Sequence, residues 1–60
     1  MMTNIERWLG IVGDISGLIG KMEAQQFSDM NDKHGLVKIN KKLYEALEIA
    51  QKAVEKAEME

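Results

Sequence analysis

The chain has 60 residues, a formal charge of −2, one histidine, and neither cysteine nor proline. A chain this short forms one domain and buries only about 60% of its unfolded surface. Its composition excludes a disulfide framework, a thiolate metal site and a zinc site built on His34 alone. With those staples missing, self-association is the remaining way to stabilise so small a core, and the charge gives no global field towards nucleic acid or an anionic membrane.

The first residues, through Arg7, lack a basic n-region, and no small-residue cleavage site follows the apolar run. That run falls short of the about 20 apolar residues a span requires and carries Asp14. A soluble, cytoplasmic protein is therefore expected. Thr3 and Glu6 form a capping box, which opens a helix expected over about residues 4–26. Ile5, Trp8, Val12, Ile15, Ile19 and Met22 recur at alternating steps of three and four, the spacing of an a/d seam.

Gly10, Gly13, Gly17 and Gly20 also keep helical spacing and so form one stripe. Such glycines cost roughly 3–4 kcal/mol of helix propensity together, which points to close approach by another helix. Gly13 and Gly17 match the small-xxx-small pattern of tightly crossing helices. The candidates for the approaching body are a partner, a second copy or a membrane.

Residues 28–35 are polar and end in Gly35, so the turn is expected there. Alternatively, Gly35 is the C′ residue of a first helix continuing to about Lys33. A second helix is expected over about 36–58, with the seam Leu36, Asn40, Leu43, Leu47, Ala50, Val54 and Ala57. Asn40 is either a seam asparagine that fixes register or the N-cap of a later-starting helix. Two helices joined by a short turn lie antiparallel, which sets Ile19 near Leu43, Ile15 near Leu47, Val12 near Ala50 and Trp8 near Val54 or Ala57.

One hairpin does not cover the apolar arc of the first helix, because Leu9 sits on one flank and Ile11 and Leu18 on the other. The expected fold is therefore all-α, a two-helix antiparallel hairpin that dimerises into a four-helix bundle. Lys33, Lys38, Lys41 and Lys42 gather at the start of the second helix, and Glu45, Glu48, Glu55, Glu58 and Glu60 towards its end. This opposes the helix dipole and would be relieved by antiparallel pairing of two such helices in a twofold dimer. The layout resembles the small plasmid copy-control hairpin proteins of the Rop kind, with no motif shared and no residue carried across.

Signals for chemistry are thin. Asp29, Asn31 and Lys33 begin like a calcium loop, but Lys33 occupies a ligand position and His34 the required glycine. His34 with Asp32 is an acid–base pair without a nucleophile, and Ser16 and Ser28 have no base in sequence reach. No enzyme, cofactor or metal is expected. Trp8 either caps the open end of the hairpin core or anchors a partner.

The expected function is a small non-catalytic interaction or regulatory protein, of the phage- or plasmid-accessory kind, that binds and modulates another protein. Its expected partner-binding residues are Leu9, Ile11, Gly13, Gly17 and Leu18, together with Lys38, Lys41 and Lys42 of a lysine-rich turn. The alternatives are a membrane-active amphipathic peptide, disfavoured by the acidic second helix, and a nucleic-acid regulator acting through the turn lysines, which lack the arginine of the commonest base contact.

Overall fold

A computed structural model describes residues 2–59. Two helices, α1 (Asn4–Glu23) and α2 (Met30–Met59), pack against each other, and the described residues contain no strand. Thr3 is the N-cap of α1: its hydroxyl accepts from the Glu6 backbone N–H at 3.2 Å and its carbonyl from that of Arg7. The last turn closes on the Ala24 N–H, which donates to the Gly20 carbonyl. The Gln25 side chain folds back to donate to the Lys21 carbonyl at 3.3 Å, so the orphan carbonyls at that end find donors.

The turn lies earlier than the sequence suggests. It occupies residues 24–29, and α2 begins at Met30 rather than at about 36. The cause is Asp29. Its Oδ1 accepts from the backbone N–H of Asn31 at 2.7 Å and of Asp32 at 3.4 Å, and its carbonyl from Lys33 N–H. An aspartate cap with Asp32 in the first turn is favourable twice over, through the hydrogen bonds and through the dipole. Gly35 neither ends α1 nor starts α2; it lies inside α2 with helical φ, at a propensity cost of about 1 kcal/mol.

Packing follows the seams closely. Ile5, Trp8, Val12, Ile15, Ile19 and Met22 are the residues of α1 that escape full exposure. In α2 the seven seam residues are joined by Gly35, Ala46 and Ala53. Trp8 lines a groove with Ala53 and Ala57 at the open end, and Met22 lines one with Gly35, Leu36 and Ile39 at the loop end. The register between those ends sets Ile19 level with Leu43 and Val12 with Ala50. Among the described residues, only Ile19 and Ala50 are buried, at 6% and 2% exposure. The hairpin is 47 Å long and only 11 Å thick, a single layer of two helices.

Asn40 is helical, which removes the cap reading, and it sits half-buried in the seam. Its Oδ1 is enclosed and has no hydrogen-bond partner among the described residues. An unpaired buried polar atom costs about 1–3 kcal/mol. Asn40→Leu should therefore raise the urea midpoint of the hairpin by an amount worth about 1–2 kcal/mol. A lowered midpoint would mean that Asn40 holds a partner in solution.

Candidate interaction face

Two contacts tell the sides of the hairpin apart. On one side the Tyr44 hydroxyl donates to Glu23 Oε1 at 2.6 Å, joining α2 to α1. On the other, Met22 stands over Gly35 and Ile39. At 3.6 residues per turn, Leu9 lies about 160° from Ile11 and about 180° from Leu18. The expected site residues of α1 therefore divide. Leu9 and Gly13 fall on the Tyr44 side, Gly17 runs along the outer edge, and Ile11 and Leu18 fall on the Met22 side.

The glycine stripe takes no part in hairpin packing. Gly10, Gly13, Gly17 and Gly20 are exposed, and an added Cβ at any of them would meet nothing within 4 Å. The Tyr44 side mixes Leu9 and Val37 with Ser16, Glu23 and Gln51, so it is not a continuous apolar surface.

The Met22 side is different. There Trp8, Ile11, Ile15, Leu18 and Met22 recur at steps of three and four along α1. Along α2, the row Leu36, Ile39, Leu43, Ala46, Ala50, Ala53 and Ala57 keeps the same alternation. Each helix thus carries a second heptad row beside the first. Three apolar positions per heptad is the pattern of a helix in a multi-helix bundle, whereas two per heptad suffice for a lone seam. The second row is left open: Ile11 is 41% exposed, Leu18 44%, Ile39 47% and the flanking Ile49 68%. Grooves of about 280, 420 and 690 Å³ lie along it, the first at Trp8, Ala53 and Ala57, the other two meeting at Ile39. The row on α1 was legible as a flank; the matching row on α2 was missed, although Ile39, Ala46 and Ala53 carry its period.

Lys38, Lys41 and Lys42 lie on α2, as the expected span 36–58 has them, but the helix starts at Met30, so they stand two turns or more inside it and do not form a lysine-rich turn. Lys38, Lys41 and Lys42 line the 690 Å³ groove together with Glu45, to which Lys42 pairs at 3.7 Å. On the helical wheel Lys38, Lys42 and Lys56 fall on the Met22 side, with Lys41 nearer the outer edge. Glu48, Glu55 and Glu58 fall on the Tyr44 side with Glu23, and Glu60 lies outside the described residues. A twofold contact through the apolar face would therefore not lay lysines beside glutamates as the charge pattern suggests.

Nothing converges for acid–base chemistry at the expected pair. Asp32 and His34 are both exposed and stand two residues apart in a helix, so their side chains diverge by about 160°. The Asp29 carboxylate is occupied as a cap. No group of three His, Cys, Asp or Glu converges among the described residues, and none of their helices is long and apolar enough to cross a membrane.

Among the described residues, Tyr44 is the group whose titration is displaced. Its hydrogen bond to Glu23, then the negative charge of that carboxylate and slight desolvation, push the phenol above its ordinary value of 10.0. A pKa raised by folding means that the contact contributes fully below pH 10 and is lost as pH rises through the native pKa. Phenolate absorbance, unambiguous with one tyrosine in the chain, should therefore show a native midpoint above 10. Glu23→Ala should return it to the ordinary value; an unchanged midpoint would remove the contact.

No family model, curated protein or solved structure matches this chain.

Proposed function

We propose that this hairpin is a non-catalytic interaction protein, accessory or regulatory in role, whose working surface is the open second heptad row. The supporting observation is that row itself. Ile11 and Leu18 of α1 and Ile39 and Ile49 of α2 are exposed on one side, beside half-buried Ala46 and Ala53. Helices present such a row to other helices, because only another ridge of side chains fills the grooves between its knobs. The binding surface is thus Ile11 and Leu18 from the expected set, extended onto α2 and edged by Lys38 and Lys42. The proposal places the protein in the cytoplasm, as cell fractionation would test.

Photo-cross-linking residues placed one at a time at Leu18, Ile49 and Gln51, in cells that produce the protein, test this reading. Gln51 faces the Tyr44 side and serves as the control. Adducts from Leu18 and Ile49 but not from Gln51 are expected. Equal labelling at all three positions, or none at Leu18 and Ile49, would overturn it.

A further inference from the structure

We infer that a second copy of this chain covers the open row, with α1 of each copy lying on α2 of the other about a twofold axis parallel to the helices. The inference rests on the proposed interaction surface and names what occupies it.

Area is the first argument. A compact chain of 6.8 kDa exposes about 3,950 Å², whereas this one exposes 4901 Å². The hairpin is thus an open, elongated layer rather than a compact body. Its broad face measures 47 by 18 Å, a footprint that matches the ~800 Å² each partner of a standard interface buries, and a second hairpin presents a face of the same size and shape.

Side-chain size is the second argument, and it decides the arrangement. The positions of α1 that the hairpin leaves open are large, Ile11 and Leu18, at 41% and 44% exposure. Those of α2 are Ile39, at 47%, and the small, half-buried Ala46 and Ala53. A twofold axis across the helices would stack Ile11 and Leu18 of one α1 on Leu18 and Ile11 of the other, large on large, while the two α2 helices met through Ala46 on Ala46 and Ile39 on Ala53, so the α1 pair would be held farther apart than the α2 pair. An axis along the helices sets large on small at both contacts. Under the hairpin's own register, Ile11 then lies beside Ala53 of the second copy, and Leu18 beside its Ala46. Trp8 projects towards Ala53 and Ala57 of the second copy, completing the groove it already lines with its own. Every helix has only antiparallel neighbours, so the macrodipoles are opposed throughout.

The rim carries Lys38, Lys42 and Lys56 from α2 with Arg7, Asp14 and Lys21 from α1. Lys42 pairs with Glu45 of its own helix at 3.7 Å, both side chains being exposed. The long stems of these side chains reach water past the row they flank.

Sedimentation equilibrium of the purified chain at micromolar to submillimolar concentrations should give twice the chain mass. Leu18→Glu should shift the dimer midpoint at least ~100-fold, since each leucine is lost twice in a twofold contact. Ile49→Lys should shift it in the same direction and is insulated from hairpin folding, because Ile49 points away from its own α1. The arrangement is read separately by oxidising the double variant Ile11→Cys, Ile49→Cys in a chain that has no other cysteine. Within one hairpin Ile49 points away from α1, so an intrachain disulfide to position 11 is disfavoured, whereas the proposed contact brings the two positions onto facing helices of different copies. A covalent dimer is expected, with no intrachain bond. A monomer at every concentration, a dimer indifferent to both substitutions, or a dimer without that cross-link would overturn the inference. A monomer whose Leu18 cross-linker captures a different chain, such as an acidic amphipathic helix drawn to the rim lysines, keeps the interaction surface and removes the second copy. A monomer with no adduct removes both.

Discussion

Replacing Gly10, Gly13, Gly17 and Gly20 together with alanine should stabilise the protein by about 3–4 kcal/mol. In a domain of this size that raises the thermal midpoint by roughly 15 °C or more. All four have helical backbone inside α1, Gly20 in its last turns, so each pays the entropic cost of a residue without a side chain. None has φ in the left-handed region, so alanine adopts the native backbone. None has a neighbour within 4 Å of the Cβ site, so no clash offsets the gain. Differential scanning calorimetry checks it. A midpoint that stays level or falls would mean that another helix rests on the stripe in solution. The proposed dimer leaves the stripe outside its contact, so the quadruple variant should still sediment as a dimer.

Ile19→Ala should have the largest opposite effect, a loss of about 2–4 kcal/mol. Among the described residues, Ile19 is the one large side chain that is buried, at 6% exposure, and it sits level with Leu43 in mid-hairpin. A core of this size supplies no more than about 3–5 kcal/mol in all, so the variant should be mostly unfolded at dilute concentrations. Leu9→Ala, on an exposed position of the same helix, should cost well under 1 kcal/mol. Far-UV circular dichroism against concentration makes the comparison, because mass action in the proposed dimer would restore helix as protein is added. Equal losses at both positions would contradict the assigned seam.

The seams were legible because burial in a two-helix layer is decided by position on the wheel, and a helix repeats that position at steps of three and four. Ile5 through Met22 and Leu36 through Ala57 needed no further information. The turn was misplaced because Gly35 and a cap at Asp29 compete as signals, and a glycine is a strong sign of chain reversal only where φ is positive. Here α2 absorbs it, held by hydrogen bonds from Asn31 and Asp32 to Asp29 Oδ1. That displacement took Asp32 and His34 from the turn into a helix, where their side chains diverge, and left Lys38, Lys41 and Lys42 well inside α2 rather than beside the turn. The division of Leu9 from Ile11 and Leu18 is implicit in the sequence, but which side each joins depends on α2. The Tyr44–Glu23 bond and the Met22 groove supply that information.

The segregation of charge across the layer, with Lys38, Lys42 and Lys56 on one broad side and Glu23, Glu48, Glu55 and Glu58 on the other, gives the hairpin an electric dipole transverse to its axis. Two copies meeting through their like-signed sides must approach against that field. Their encounter is hindered rather than steered at low ionic strength, and it should quicken as salt shortens the Debye length from about 30 Å at 0.01 M to about 8 Å at 0.15 M. Stopped-flow mixing read through Trp8 fluorescence would follow it, and an association rate that falls with salt would contradict this orientation. The apolar row then sets how long a pair lasts, and the rim lysines set how often a pair forms.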